Sequence, residues 1–331
     1  MIIENSKTYN VTDVENLFFR PSFCGKAAEE LGIRILYNMP LPTKVPLLKH
    51  NNNLLKNFSS GWQGGSAATM SQKEIAMTKL KAESAYSAED YFSTIYEMIT
   101  NSAEVNLGDL TGTDLEKAET ELFRRAIAEN IYACTWFGDI DGNVSRFQAF
   151  DGFFRHIIKK KEDDGGYDAV DICDGGVETT AIQILRNTWS VAKEELRALA
   201  SEGNLVYFVS SDIYDSFHFY LDNKGLIDAN ADTNGSRPNL SYHGIPIVEI
   251  PSHKYGLQRA KSFCILTDRR NLVLSLNTVD SPEKEIKMWY NPDEMENRQR
   301  VVFLAGTTIV DENLVSGHIY DTDISLLDNV D

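Results

Sequence analysis

The chain lacks most of the features that mark membrane, secreted, nucleic-acid-binding or nucleotide-using proteins. No uninterrupted apolar run among its 331 residues approaches the ~20 needed to cross a bilayer. The start, MIIENSKTYN, has no basic segment followed by an apolar one, so it is not a secretory signal and nothing directs the chain out of a cytoplasm. Cysteine is scarce: Cys24, Cys134, Cys173 and Cys264 stand far apart without a CxxC pair. That spacing excludes the usual zinc sites and a disulfide scaffold, and it predicts reduced, packed thiols. Positive charge is also short, with 32 basic against 49 acidic residues and a net charge of −17. A sequence-independent nucleic-acid binder needs a basic footprint, which this composition does not supply. The one dense basic run, Lys159–Lys161, is followed at once by Glu162–Asp164 and reads as a solvated helix end.

The motifs of catalysis are missing too. Of the six histidines, His50, His156, His218, His243, His253 and His318, no two are spaced i, i+4, and no HExxH is present. There is no GxSxG, no GxGxxG after a strand and no GxxxxGK[ST]. DANADTNG at Asp228–Gly235 has some calcium-loop character, but counting from Asp228 puts Thr233 where the loop needs glycine. Counting from Asn230 puts Ser241 where it needs an acid, so an Asx-rich turn is the better account. Asp139, Asp141 and Gly142 fail the same test. The acidic pairs Asp163-Asp164 and Asp171/Asp174 sit in glycine-rich polar loops without a positioned partner. The sequence therefore assigns no catalytic residue, no cofactor and no metal ligand, and reads as a protein that is not an enzyme.

What is present is a chain of globular composition, 42% hydrophobic and 24% charged, organised around Thr113–Phe137. Thr113 and Glu116 have capping-box spacing, which predicts a helix start. Leu115, Ala118, Leu122 and Ala126 recur at helical spacing beside a second row of Phe123, Ile127, Ile131 and Cys134, and Gly138 ends the pattern. The result is a spine helix of roughly 37 Å.

Around that spine the chain divides into parts. Residues 1–32 form an N-terminal arm whose Phe18 and Phe19 cannot build a core of their own. Residues 33–90 read as an extended hairpin: Pro40, Pro42 and Pro46 keep the outgoing limb extended, and Lys73–Ala85 alternates on the way back. Its polar tip carries Leu54, Leu55, Phe58 and Trp62, which points to burial on another subunit, with an active-site lid as the alternative. Ala88–Thr100 reads as a short helix, and Val144–Ile158 as a strand leading into an amphipathic piece, so residues 91–165 hold the spine. Residues 166–284 contain a long helix over Glu178–Glu202, a buried strand Leu205–Ser210, a helix Asp212–Leu221 and a strand Tyr242–Pro251. Ser262–Leu266 and Asn271–Leu276 flank Thr267–Arg270 and read as a hairpin. In residues 285–331, strands Glu285–Tyr290 and Arg298–Val310 flank the tip NPDEMEN, a last strand covers Leu314–Tyr320, and the acidic tail Asp321–Asp331 reads as disordered. Helices followed by long antiparallel strands make an α+β chain.

The order of these parts resembles a tailed-bacteriophage major capsid protein, whose fold is shared with encapsulin shells and the floor of herpesvirus capsids. The likeness covers nearly the whole chain and is strongest in GIPIVEIP at Gly244–Pro251, ILTDRRNLVLSLNT at Ile265–Thr278 and the stretch Glu285–Gly317. It implies an arm (1–32), an extended loop (33–90), a peripheral domain with the spine (91–165), an axial domain (166–284) and peripheral strands with the tail (285–331). It further implies self-assembly into pentamers and hexamers of a head shell in the host bacterial cytoplasm. That shell becomes the virion capsid and encloses double-stranded DNA without specific binding. Intersubunit contacts would fall on Phe18, Phe19, Leu54, Leu55, Phe58, Trp62, Asn291, Asp293, Glu294, Glu296 and Arg298. Implied partners are a scaffolding protein, a portal and decoration proteins, with no membrane. The arm is too short for a fused scaffold, so a separate scaffold, or a chain that begins after cleavage, is expected. Some members crosslink hairpin lysines to a neighbour's asparagines; Lys49, Lys56, Asn291 and Asn297 are available here, but no acid catalyst is assignable. The alternatives are an encapsulin-like shell and a soluble enzyme using the acidic loops.

Overall fold

A computed structural model of the chain describes residues 31–37, 43–50, 57, 60–61, 68–87, 114–173, 180–224, 240–251, 261–278 and 287–320. The arm up to residue 30, most of the hairpin tip, the helix expected at Ala88–Thr100, the loop Asp228–Gly235 and the tail lie outside the described residues.

Strands β1 (Arg34–Tyr37), β2 (Thr43–His50), β3 (Ala68–Ile75) and β4 (Thr78–Ser87) come first, then the spine α1 (Asp114–Phe137) and α2 (Phe153–Asp164). Next are β5 (Val170–Cys173), α3 (Ala181–Val191), α4 (Glu194–Ala198), β6 (Leu205–Ser210) and α5 (Ser211–Asn223). The chain closes with β7 (Ser241–Tyr242), β8 (Ile245–Ile250), β9 (Ser262–Asp268), β10 (Leu272–Thr278), β11 (Lys287–Asn291), β12 (Glu296–Ile309) and β13 (Val315–Tyr320). These strands make a two-stranded ribbon β2-β3, a five-stranded sheet and a six-stranded sheet ordered β5-β13-β9-β6-β8-β7.

The five-stranded sheet is built on β12, whose 14 residues outrun any single partner. Along one edge it pairs antiparallel with β4, from Glu296↔Ser87 to Ala305↔Thr78. Its other edge is shared, with β11 taking Glu296–Arg300 and β10 taking Phe303–Ile309. Strand β1 adds in parallel outside β10.

The six-stranded sheet is covered on both faces, which is why LVYFVS is apolar without alternation. Val206 and Phe208 of β6, with Phe263 and Ile265 of β9, point into the core that holds the end of α1 and α2. Leu205, Tyr207 and Val209, with Cys264 and Leu266, point instead at α3 and α5. Trp136 in the last turn of α1 sits at the joint, with ring centroids 5.3 Å from Phe153 and 4.8 Å from Phe208. Its cluster reaches both sheets, through Ile319 on one side and Leu274, Ala305 and Ile309 on the other. At the end of α1 the position of Gly138 requires glycine, because a Cβ there would stand 2.0 Å from the Phe150 carbonyl oxygen, where the chain returns against the helix end. Cys134 and Cys264 are buried free thiols, and burial pushes them up to about 11 and about 12.

Four readings of the sequence need correction. Ser262–Leu266 and Asn271–Leu276 are not a hairpin: β9 belongs to the six-stranded sheet and β10 to the five-stranded one, and Arg269–Asn271 turns the chain between them. Val144–Ile158 contains no strand; Ser145–Phe147 is a 3-10 turn and α2 follows, with Phe147, Phe150, Phe154, Ile157 and Ile158 recurring at helical intervals on the core side. The helix expected over Glu178–Glu202 is broken at Ala192 and Lys193, whose ψ angles of 134° and 153° are extended. Tyr242–Pro251 divides into β7 and β8 at a tight turn in which His243 and Gly244 both take positive φ, 52° and 79°.

Candidate functional site

Among the described residues two features project from this body: the ribbon β2-β3 and the tip between β11 and β12. In the ribbon, Val45 pairs with Lys73, Leu47 with Ser71 and Pro46 with Gln72, so alternate pairs share a face. The inner face is anchored at its root, where Val45 and Ile75 pack on Val273, with Leu36, Met77 and Val310 beside them. Beyond that pad it overhangs the loop Val310–Asn313 across a groove of about 350 Å³. Lys73 crosses the groove toward Glu312 at 3.8 Å. The outer face shows Lys44, Pro46, Gln72 and Glu74 to solvent, together with Met70 at 61% exposure.

The ribbon leaves the sheet at a fixed point. Between β3 and β4, Ala76 presses on β12 so closely that a Cβ on Gly306 would stand 2.2 Å from the Ala76 carbonyl oxygen. Only glycine accommodates that approach.

At the other projection, Arg298 gathers the tip. Its guanidinium pairs with Glu294 and lies 3.4 Å from Glu296. With its amide oxygen turned inward, Asn291 accepts from the same guanidinium at 3.2 Å. Asp293, Glu294 and Met295 are exposed, and Met295 takes φ 50° to close the turn.

Of the residues singled out in the sequence, Asn291, Glu294, Glu296 and Arg298 are thus brought into one network, with Asp293 beside it at the turn. Phe18, Phe19, Leu54, Leu55, Phe58 and Trp62 lie outside the described residues, as do Lys56 and the side chain of Lys49. Sequence reasoning missed Met70, and also Trp289 and Met295, exposed at 45% and 59% near the tip. An apolar residue inside the polar run NPDEMEN was the available signal for the last of these.

No group of three or more His, Cys, Asp or Glu side chains among the described residues is placed to hold a metal ion. Nor is any helix among them long and apolar enough to cross a membrane. Two of the described histidines serve the fold. His156 Nε2 lies 3.0 Å from the Thr307 carbonyl oxygen, tying α2 to β12, and burial pushes its pKa down. His318 faces Asp171 at 3.7 Å across the β5-β13 pair, and burial pushes it down as well.

No family model matches the chain, and no curated protein sequence matches it. Solved structures do. A chain of Gordonia phage Cozz matches with a TM-score of 0.52 at 13% identity, over 90% of this chain and 88% of that one. The capsid of a native GTA particle matches at 0.51 and 12%, over 97% and 95%. The fold is a phage capsid fold. The capsid structure of Cyanophage P-SCSP1u has it too, at 0.50 and 10% over 90% and 89%. Among the described residues the ribbon and the tip are the excursions from the paired sheets. The α+β class expected from the sequence is therefore the class observed.

Proposed function

We propose that the chain is the major capsid protein of a tailed double-stranded DNA phage, a structural subunit that assembles with copies of itself into hexamers and pentamers of the head shell. The observation that carries this reading is the extent of the match: a capsid fold over 97% of this chain and 95% of its counterpart. The surface supports it independently. An isolated subunit has little reason to display Met70, Trp289 and Met295 on excursions from its body, whereas a subunit with neighbours can cover them.

In this reading residues 33–90 overlap a neighbouring subunit, the arm 1–32 braces another, residues 166–284 face the capsomer axis, and 91–165 with 285–331 form the periphery. Phe18, Phe19, Leu54, Leu55, Phe58 and Trp62 supply apolar contact, while Asn291, Asp293, Glu294, Glu296 and Arg298 present a polar tip to adjacent tips. The location is the virion, after assembly in the host cytoplasm with a scaffolding protein and a portal, and with decoration proteins where the shell carries them. A net charge of −17 suits a wall that encloses DNA without holding it.

Electron microscopy and sedimentation of the protein, expressed alone and with its genomic neighbours, test the proposal. Closed shells or capsomers are the expected result, with nucleic acid in particles made during infection. A monomer or dimer under every condition would overturn it, and shells filled with a protein cargo would redirect it to an encapsulin-like compartment.

A further inference from the structure

The loop between the two sheets holds a charge that belongs to neither. Glu312 lies between two cations carried by different elements: Lys73 on the ribbon, at 3.8 Å, and Lys160 on α2. A Cβ on Gly166 would touch Glu312 Oε2 at 3.1 Å and the Lys160 side chain at 2.8 Å, which places the two side by side. The electrostatics agree with the geometry. Burial pushes Lys73 down, Glu312 partly restores it, and Lys160 pushes it down further. Lys160 is pushed up, first by its hydrogen bond to Asp164 and next by Glu312.

This charge stands across the open part of the ribbon root. On the near side are the point where Ala76 presses on Gly306 and the apolar pad of Val45, Ile75, Val273 and Val310. On the far side the ribbon is separated from the loop by the groove, whose walls are Leu47, Ser71 and Lys73 opposite Glu312 and Asn313. A two-stranded ribbon seated on one small pad tilts about that pad unless something beyond it resists. The cross-groove ion pair is that resistance, and a half-exposed pair of this kind is weak enough to yield.

We propose that Glu312 is a positioning residue: paired with Lys73 across the groove and standing beside Lys160 of α2, it sets the resting angle of the ribbon relative to the body. The assignment deepens the capsid reading, since that angle decides where the ribbon meets a neighbouring subunit. It makes the ribbon a lever with a steric pivot at Gly306 and an ionic stop at Glu312.

The test measures the angle directly in the full chain. Spin labels are placed at Met70 on the outer ribbon face and at Asp163 on the exposed end of α2, in a Cys24→Ser/Cys173→Ser background. The buried Cys134 and Cys264 thiols do not compete for label. Labelled subunits are diluted into unlabelled ones, and the distance distribution is recorded by pulsed electron resonance. Glu312→Gln is expected to broaden the distribution and raise the tilted population about threefold to fivefold, as loss of a half-exposed pair implies. The exchange of all three charges, Lys73→Glu and Lys160→Glu with Glu312→Lys, is expected to narrow it again, because the cross-groove attraction is restored without setting two like charges side by side. An unchanged distribution in Glu312→Gln overturns the proposal, and so does a triple exchange that stays as broad as the single variant. Wild-type protein that forms no shells while Glu312→Gln still broadens the distribution would refute the capsid reading and leave the stop standing.

Discussion

Asn271 and Asp311 are joined by a reciprocal pair of hydrogen bonds: the Asn271 amide donates to the Asp311 carbonyl at 2.9 Å and accepts from the Asp311 N–H at 2.8 Å. Both residues are buried. They stand at the two short connections by which the chain passes directly from one sheet to the other, β9 to β10 and β12 to β13; the passage from β4 to β5 runs through α1 and α2. A third bond, from the Val310 N–H to the Asn271 carbonyl at 3.0 Å, fixes the crossings side by side.

Asn271→Ala should therefore destabilise the fold out of proportion to its size. Two buried backbone groups of Asp311 would lose their partners, for a cost of about 2–4 kcal/mol. Urea denaturation of the variant, followed by tryptophan fluorescence, checks this. A loss below about 0.5 kcal/mol would show that the crossings hold each other by packing alone.

Gly306→Ala should separate the ribbon root from β12. The added methyl would stand 2.2 Å from backbone oxygen, which cannot rotate aside, so either β12 or the Ala76–Met77 segment must move. Overpacking of this kind costs about 1–3 kcal/mol. Hydrogen exchange should rise at Thr78–Leu80, next to the contact, and not in β6 or β9.

Stability should fall as pH drops below the ordinary histidine range. Burial is the leading cause pushing both His156 and His318 down, against partial compensation by Asp151 and Asp171 respectively. In the unfolded chain both take up protons near pH ~6.5, while the folded protein resists until lower pH. Below that value the unfolded state binds more protons, so unfolding becomes easier; above it the contribution is constant. Denaturation midpoints measured from about pH 8 to about pH 5 should show this slope, and His318→Gln should flatten it.

Trp62→Ala combined with Phe58→Asp should leave the subunit folded and stop shell formation, since both sites lie in the hairpin assigned to a neighbour. Circular dichroism and sedimentation of the same preparation separate the two effects. Normal particles from this variant would remove the hairpin from the intersubunit contact.

Where local pattern and tertiary role coincide, the sequence was legible. The spine was readable from its two apolar rows and terminal glycine, and the β11-β12 hairpin from two apolar runs around a polar tip. The β9/β10 region failed for a definite reason. Adjacent strands with a short polar connector look the same whether they pair with each other or with strands in separate sheets, and only their partners, β6 and β13 for β9 and β1 and β12 for β10, all distant in the chain, decide which. The broken helix failed differently: Leu185, Trp189, Ala192, Leu196 and Leu199 keep helical spacing straight through the break at Ala192–Lys193, so the apolar pattern does not register it. At the ribbon root, Lys73, Lys160 and Glu312 are 87 and 152 positions apart in the chain, counted from Lys73 to Lys160 and from Lys160 to Glu312, and no local signal joins them.

The paired crossings have a mechanical meaning. Because β9 runs into β10 and β12 into β13, two neighbouring stretches of backbone traverse both sheets. A force that pulls the sheets apart is therefore borne as tension along covalent chain, and hydrogen bonds between neighbouring strands are sheared together rather than unzipped one at a time. A body of this kind yields last at its centre and first at its excursions, so deformation of an assembly built from it would concentrate in the ribbon and the tip while the subunit bodies keep their shape.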